Sequence, residues 1–453
     1  MRLLITLLLA AVPALLPATA RAHTSVERTS PAHGDTLVTG PAELRLRFSG
    51  RAEPALTVLA LSRGGAHVAA GGRMVEGSAG REYVLELARP LEPGSYVASW
   101  RTVGADGHAL RGEWSFVVAE DPAAAGAPAA APATEPPPAP PFPIAEPVER
   151  LVDPVAVGVR WLWFASLLGI IGAAGFRFGV LPRLARDPAH REVGARAEAA
   201  VWFVALAAAA LSVLSLFARL WLQASALGGG SAWEGDRLRV LLTGTSWGLA
   251  WTLQAIATLA FFVGLLIVRA PHGRAAGWMG AAVGALLLAA VPALSGHAAA
   301  GGNGLSILAD ALHVLGAGLW LGTLGVVLAV GVPAALTSRD APDAAVAALV
   351  SGFTPVALAG ASTVAVTGIV SALFRLSAPG DLWRTPYGLA LLVKLALVGV
   401  VVALGWYHWR RGAPGLGAGG TVPALRRSIR AELALAGLVL LVTAVLVALP
   451  TPS

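Results

Sequence analysis

Residue types and spacings that could do chemistry stand out in an otherwise apolar stretch, residues 295–322. A glycine-rich segment containing His297 leads into an apolar run with Asp310 and His313 three residues apart. Side chains at this spacing share a helix face, so we expect the carboxylate and the imidazole to be neighbours, with Trp320 further along the same stripe. Ionisable groups inside apolar segments are costly and are usually functional. The residues predict either a metal or proton pathway, or a hydrogen bond that braces helix packing.

A second set of donors would form if the N-terminal segment were removed. Residues 1–22 have the basic start, the apolar core and the Ala-x-Ala ending of a signal peptide. Cleavage there would leave His23 as the N-terminus, with an amine and an imidazole on one residue. Asp106 and His108 flank a glycine and would point to the same side of an extended strand. Nitrogen and oxygen donors without sulfur suit Cu(II); the alternative is two surface side chains in a glycine turn.

The composition is that of a membrane protein. The 453 residues are 56% hydrophobic and 13% charged, against about 25% charged residues in soluble domains. The mean hydropathy is +0.69. A formal charge of +7, carried almost entirely by arginine, indicates cytoplasmic loops rather than nucleic-acid binding. The absence of cysteine excludes disulfides and thiolate metal sites.

The first hundred residues after the predicted signal peptide have the pattern of a β-domain. Over residues 23–119, apolar side chains alternate with polar ones, as in Leu44, Leu46 and Phe48, and glycine or proline pairs separate the runs. This pattern predicts an all-β domain, an Ig-like or Greek-key sandwich or barrel.

The rest of the chain is predicted to be a linker followed by an all-α polytopic membrane domain. Residues 120–150 are rich in proline and alanine, which is typical of a semi-rigid extended linker. Residues 151–453 contain eight apolar segments near the length that crosses about 30 Å of hydrocarbon. The predicted spans are 155–178, 198–221, 245–268, 276–294, 305–333, 346–373, 387–407 and 432–449.

The distribution of arginine predicts the sidedness of these spans. A secreted β-domain puts the start of the first span outside, and arginines are then concentrated in the inner loops, as the positive-inside rule expects. His297 falls in an outer loop, and Asp310 and His313 fall near the outer end of the fifth span. This cluster is therefore expected to open toward the compartment that holds the β-domain.

Three further basic residues lie near the same membrane face. Arg160 and Lys394 fall within the outer parts of the first and seventh spans, where each would pair with Asp310 or extend to the surface. Arg375 is predicted to belong to an outer loop.

The β-domain resembles the CopC family of periplasmic copper-binding proteins. The resemblance rests on SPAHGDTL at 30–37, LRLRFSG at 44–50 and LEPGSYVASWRTVGADGHALRGEWSFVV at 91–118. It covers residues 23–119 and includes the N-terminal histidine and the Asp-Gly-His motif of that family. It implies that His23, Asp106 and His108 are Cu(II) ligands. Gly104 stands where the family usually has serine.

The membrane half is similar to the CopD family over roughly residues 155–450. The motifs are LSGHA at 294–298, ADALHVLGAGLWLG at 309–322, TPYGLALLVKLAL at 385–397 and LRRSIRAEL at 425–433. CopC–CopD fusions are associated with copper uptake across the bacterial inner membrane and with copper resistance. His408 stands near the position where members often carry an Asn-Arg pair, and we expect it to be structural.

Residues and resemblance together predict a copper-binding and copper-importing protein of the bacterial inner membrane, not an enzyme. The N-terminal domain would lie on the periplasmic side and pass copper to His297, Asp310 and His313. Expected partners are the copper ion and the lipid bilayer, with a periplasmic copper carrier or a reductase as further candidates and no nucleic acid. Two alternatives stay open: a membrane-anchored copper sequestration protein without transport, and a copper-dependent oxidase.

Overall fold

The computed structural model describes residues 25–104, 109–119, 153–226, 235–294, 304–338, 342–407, 422–449 and 451–452. The predicted signal peptide and linker lie outside these residues. So do five histidine and aspartate residues singled out in the sequence, namely His23, Asp106, His108, His297 and His408.

Nine described strands form a two-sheet sandwich in the N-terminal part of the chain. They are β1 (Val26–Ser30), β2 (Thr36–Leu37), β3 (Glu43–Phe48), β4 (Val58–Arg63), β5 (Ala66–Gly71), β6 (Arg73–Met74), β7 (Glu82–Glu86), β8 (Gly94–Val103) and β9 (Ala109–Val118). One sheet has the order β1-β3-β7-β6 and the other β2-β9-β8-β4-β5. All these neighbours are antiparallel except β2 and β9. The all-β prediction is confirmed.

Alternation along the strands fills the space between the sheets. Leu44, Leu46 and Phe48 of β3 are all fully buried, while the residues between them are exposed. The Trp100 ring of β8 packs edge-on against Phe48, with 5.6 Å between the ring centroids. Such aromatic pairs add stability beyond the area they bury, so this contact ties the two sheets together.

The β8–β9 hairpin determines where the Asp-Gly-His motif is attached. The two strands pair without a break from Gly94 opposite Val118 to Val103 opposite Ala109. Residues 104–108, which contain the motif, therefore connect the last pair of the hairpin. Gly112 has no side chain because a Cβ there would lie 2.9 Å from the Trp100 ring.

The remainder of the described chain is helical. The helices are α1 (Pro154–Leu184), α2 (Arg191–Ala226), α3 (Gly235–Gly244), α4 (Ser246–Val268), α5 (Arg274–Leu294), α6 (Gly304–Leu336), α7 (Pro342–Arg375), α8 (Pro386–Tyr407) and α9 (Val422–Leu446). Among the described residues, seven helices (α1, α2 and α4 to α8) are long and apolar enough to cross a membrane. The helix α9 overlaps the eighth predicted span, and the count of eight stays a prediction.

Helices α1 and α6 touch through glycine. A Cβ on Gly172 would collide with the backbone of Gly322, and a Cβ on Gly322 would collide with the Leu168 carbonyl. The contact falls in a π-helical turn of α6, Gly318–Gly322. A Cβ on Gly360 of α7 would lie 3.0 Å from the Trp320 Cβ, so Trp320 lies against α7.

The β-domain rests on the helical domain through a small apolar cluster, called the interdomain cluster below. It joins Leu56 and Val103 of the β-domain to Ala224, Leu241 and Trp247 of the helical domain, and all five are buried. These three helical residues lie near the end of α2, on α3 and at the start of α4. The β-domain therefore covers one end of the bundle, and because successive spans alternate in direction, α6 begins and α7 finishes at this end.

Candidate functional site

Asp310 on α6 is held by two groups from α7. The Ser371 hydroxyl donates to Asp310 Oδ1 at 2.9 Å, and Arg375 Nη2 donates to Oδ2 at 2.5 Å. The Asp310 and Arg375 side chains are 16% and 27% exposed, so solvent screens the pair only in part. The carboxylate is thus already neutralised by a cation. This cation is Arg375, and not Arg160 or Lys394, the predicted partners. Arg375 is the last residue of α7 and does not belong to an outer loop, contrary to the prediction.

The second candidate residue of this site, His313, is oriented by Thr367 of α7. His313 Nδ1 lies 3.0 Å from Thr367 Oγ1, and the Thr367 hydroxyl donates to the Thr363 carbonyl at 2.6 Å. A hydroxyl has one hydrogen, so Thr367 accepts from His313 and the imidazole carries its proton on Nδ1. This assignment follows from the hydrogen-bond network. The ring N–H also has the Val364 backbone carbonyl as an acceptor, and a proton on Nδ1 leaves a lone pair on Nε2.

The surroundings of Asp310 contain more positive than negative charge. Lys394 on α8 lies within electrostatic range of both Asp310 and Arg375, and the Tyr387 hydroxyl faces Arg375. With a neutral His313, one carboxylate therefore stands against two cations. A copper ion that used Asp310 as a ligand would have to separate it from Arg375.

Asp310 and His313 do not form a complete metal site on their own. Within the part of the chain that the structure describes, no three His, Cys, Asp or Glu side chains are grouped closely enough to hold a metal ion. His297 lies outside that part, so the set of His297, Asp310 and His313, called the receiving set below, stays a prediction. The same applies to His23, Asp106 and His108, the predicted Cu(II) ligands.

Sequence reasoning missed the α7 residues that orient the receiving set. Thr363, Thr367, Ser371 and Arg375 follow one another at intervals of four residues, and this spacing puts them on one face of a helix. A polar stripe in an apolar span is a readable signal, and here it faces the polar residues of α6.

Three family models match the chain. They are the CopC domain over residues 26–119, the copper resistance protein D-like N-terminal domain over 151–306 and copper resistance protein D over 347–446. The chain is also similar to the copper transport protein CutJ of Bacillus subtilis (strain 168), with 26% identity over 449 residues, which is 96% of this chain and 76% of that protein.

Two solved structures match the β-domain region. CopC from Methylosinus trichosporium OB3b is 31% identical and covers 21% of this chain and 94% of its own, with a TM-score of 0.21. PcoC, a methionine-rich copper resistance protein from Escherichia coli, is 24% identical and covers 21% of this chain and 98% of its own, with a TM-score of 0.20.

The matched families handle copper and are not enzymes, and the apolar helices make the chain a multi-pass membrane protein. The chain is a CopC–CopD fusion of the copper resistance family, with a CopC domain and a CopD membrane domain in one polypeptide.

Proposed function

We propose that the chain captures Cu(II) at the periplasmic face of the bacterial inner membrane and imports copper across it. His23, Asp106 and His108 would hold Cu(II) on the β-domain, with nitrogen and oxygen donors that suit this ion. The receiving set would take up the copper at the outer ends of the helices. The name of one relative, a copper transport protein, supports transport, and the arginine bias toward inner loops supports the periplasmic placement of the β-domain.

The observation that carries the proposal is the docking of the β8–β9 hairpin on the helical domain. Val103, the last residue of β8, is fully buried in the interdomain cluster with Leu241 and Trp247. Asp106 follows three residues later, so its Cα lies within about 11 Å of the Val103 Cα at the greatest extension of a chain. The copper motif is thereby tethered to the end of the bundle at which α6 begins.

His313 is the residue of the receiving set best prepared to accept copper. Its proton is on Nδ1, toward Thr367, and the lone pair on Nε2 is available for a metal ion. A metal-binding histidine commonly donates its other N–H to such an outer partner, which fixes the ring. Asp310 would join only after an exchange in which Arg375 moves to another acceptor.

Sequestration without transport is the second candidate, and the Asp310–Arg375 pair favours it. The pair and Lys394 leave an excess of positive charge beside the receiving set, which repels a free metal cation. In that case the helices would only anchor a copper-binding β-domain, and copper would never reach the cytoplasm.

Copper uptake by proteoliposomes containing the processed full chain separates the two candidates. Cu(I) and Cu(II) are supplied outside, and a copper-selective fluorescent chelator is enclosed inside. Import predicts copper accumulation that requires the protein, and a reduction of about tenfold or more in His313→Gln, because the substitution removes the accepting nitrogen. Copper that binds to the vesicles without entering them would contradict import and support sequestration.

His190→Gln provides the matched control. His190 lies in the segment between α1 and α2, at the opposite end of the bundle, with Nδ1 3.1 Å from Asp187 Oδ2. It should transport copper like the unmodified protein. A His108→Gln variant should lose Cu(II) binding by the β-domain, while the receiving set is unchanged. Equal uptake by His313→Gln and His190→Gln would remove His313 from the pathway.

A further inference from the structure

Two arginines of the helical domain, Arg160 and Arg219, form no direct ion pair with a carboxylate among the described residues. Arg219 of α2 is 9% exposed, and it lies within electrostatic range of Arg160 of α1. Neither forms an ion pair among the described residues. Asp153 is the carboxylate that acts on Arg160, but it is exposed to solvent, which screens its charge. Buried charges are normally paired, so this arrangement is costly as it stands.

The same region holds hydrogen-bond donors without acceptors. Arg160 Nη1 and Trp163 Nε1 are both buried and have no hydrogen-bond partner among the described residues. The Arg219 guanidinium lies 3.7 Å from the centroid of the Trp163 ring, and its Nη1 donates to the Gln254 amide oxygen. Gln254 is neutral and therefore orients Arg219 without cancelling its charge. Buried indole and guanidinium donors usually find partners.

The arginines lie near the ends of their helices, beneath the β-domain. Arg160 is six residues from the start of α1 at Pro154 and Arg219 is seven residues from the end of α2 at Ala226. At 1.5 Å per residue, both lie about 10 Å from the ends of their helices. Trp247, a member of the interdomain cluster, is 5.9 Å from the Arg219 guanidinium. The site is therefore next to the surface on which the β-domain rests.

We propose that Arg160, Arg219 and Trp163 form a phosphate-binding site. Guanidinium groups match phosphate oxygens in geometry and charge, and a phosphate would accept from Arg160 Nη1 and Trp163 Nε1 while neutralising both arginines. The phosphate belongs either to the headgroup of an anionic phospholipid or to free inorganic phosphate. In either case, the occupied site stabilises α1, α2 and α4 where the β-domain docks.

The unfolding temperature of the full chain in neutral detergent tests the proposal. One arm adds phosphatidylglycerol or, as its control, zwitterionic phosphatidylcholine, and bound lipid is counted by native mass spectrometry. The other arm adds inorganic phosphate or chloride at equal ionic strength. A selective rise with phosphatidylglycerol assigns the site to a lipid, and a selective rise with phosphate assigns it to the free anion. No rise in either arm, or an equal rise with chloride, overturns the proposal.

Variants connect the effect to these side chains. Arg160→Gln should raise the half-saturating ligand concentration about tenfold or more, since a hydrogen bond to a charged group contributes about 1.5–3 kcal/mol. Trp163→Phe retains the ring beneath Arg219 and removes only the N–H, so it provides a milder second variant if the first fails to fold. Arg239→Gln, at an exposed arginine of α3, should bind like the unmodified chain. Unchanged binding by both site variants contradicts the assignment.

Discussion

Replacing Thr367 by valine tests how His313 is prepared for copper. Thr367 is 6% exposed, and valine has nearly the same shape, so packing on α7 is retained. The substitution removes the acceptor for the His313 Nδ1 proton, which lies 3.0 Å away. The ring then either keeps a buried N–H with only the Val364 backbone as its acceptor or moves its proton to Nε2, where it blocks the lone pair.

The expected loss can be worked from these contacts. A buried donor without a partner costs about 1–3 kcal/mol, and outer partners of metal-binding histidines typically change metal affinity by about 10- to 100-fold. We therefore expect copper affinity at His313 to fall by about that factor, which corresponds to about 1.4–2.7 kcal/mol. The free energy of unfolding of the bundle should fall by no more than about 2 kcal/mol. The Thr363 carbonyl loses the Thr367 hydroxyl as a donor, but it remains within the hydrogen-bonded backbone of α7.

The assay is copper uptake by proteoliposomes, together with the ¹⁵N spectrum of His313. Thr363→Val is the matched control, because its hydroxyl donates only to the Ala359 carbonyl one turn earlier, at 2.9 Å, and does not touch the imidazole. Thr367→Val should reduce uptake and change the tautomer signal, and Thr363→Val should do neither. A Thr367→Val protein with normal uptake and an unchanged Nδ1–H signal would refute the tautomer assignment.

Three further substitutions test the fold around the site. Val103→Asp puts an unpaired charge into the interdomain cluster and should speed amide hydrogen exchange there. The control Val97→Asp, at a position on the same strand that is 38% exposed, should leave exchange unchanged. Equal exchange in the two variants would contradict the docking. Gly172→Ala should lower the unfolding temperature because the new Cβ meets the α6 backbone. The control Gly158→Ala, with open space around the residue, should not lower it. Equal unfolding temperatures of the two variants would disprove the close contact. Burial raises the pKa of Tyr83, so the stability supplied by its neutral form is lost as pH rises above about 10. Denaturation of the Tyr83→Phe protein should be less sensitive to pH in that range, and an unaltered pH dependence would exclude this cause.

Local patterns made most of the β-domain predictable. The alternation of Leu44, Leu46 and Phe48 reports directly which face of β3 is buried, because side chains in a strand alternate strictly between faces. The turn at Pro93 and Gly94 likewise marks the start of β8. The apolar segments predicted eight spans for the same reason, since crossing a membrane sets a minimum length that is visible in sequence, and seven of the described helices meet it.

The polar contacts between helices could not be predicted in the same way. Which side of α7 faces Asp310 depends on how α6 and α7 rotate against each other. This rotation is set by a close contact between Gly316 of α6 and Gly360 of α7. A Cβ on Gly316 would lie 2.9 Å from the Gly360 carbonyl, and a Cβ on Gly360 would lie 2.6 Å from the Gly316 carbonyl. Sequence gives the stripe of Thr367 and Arg375 but not the neighbour it meets. Lys394 stands out in the sequence as a charge inside a span, whereas Arg375 at the helix end carries no local sign that it pairs with Asp310.

Charge in the helical domain has a consequence for how copper could enter. Arg160 and Arg219 form no direct ion pair among the described residues, and Arg375 and Lys394 together outnumber Asp310. A free copper cation approaching from solution meets a repulsive potential in both regions. Direct presentation by a docked β-domain avoids that approach, because the ion travels with its own ligands. A phosphate bound between the arginines would lower the same repulsion. The interdomain cluster and the proposed anion site thus address one electrostatic problem, that of bringing a cation to a positively charged entrance.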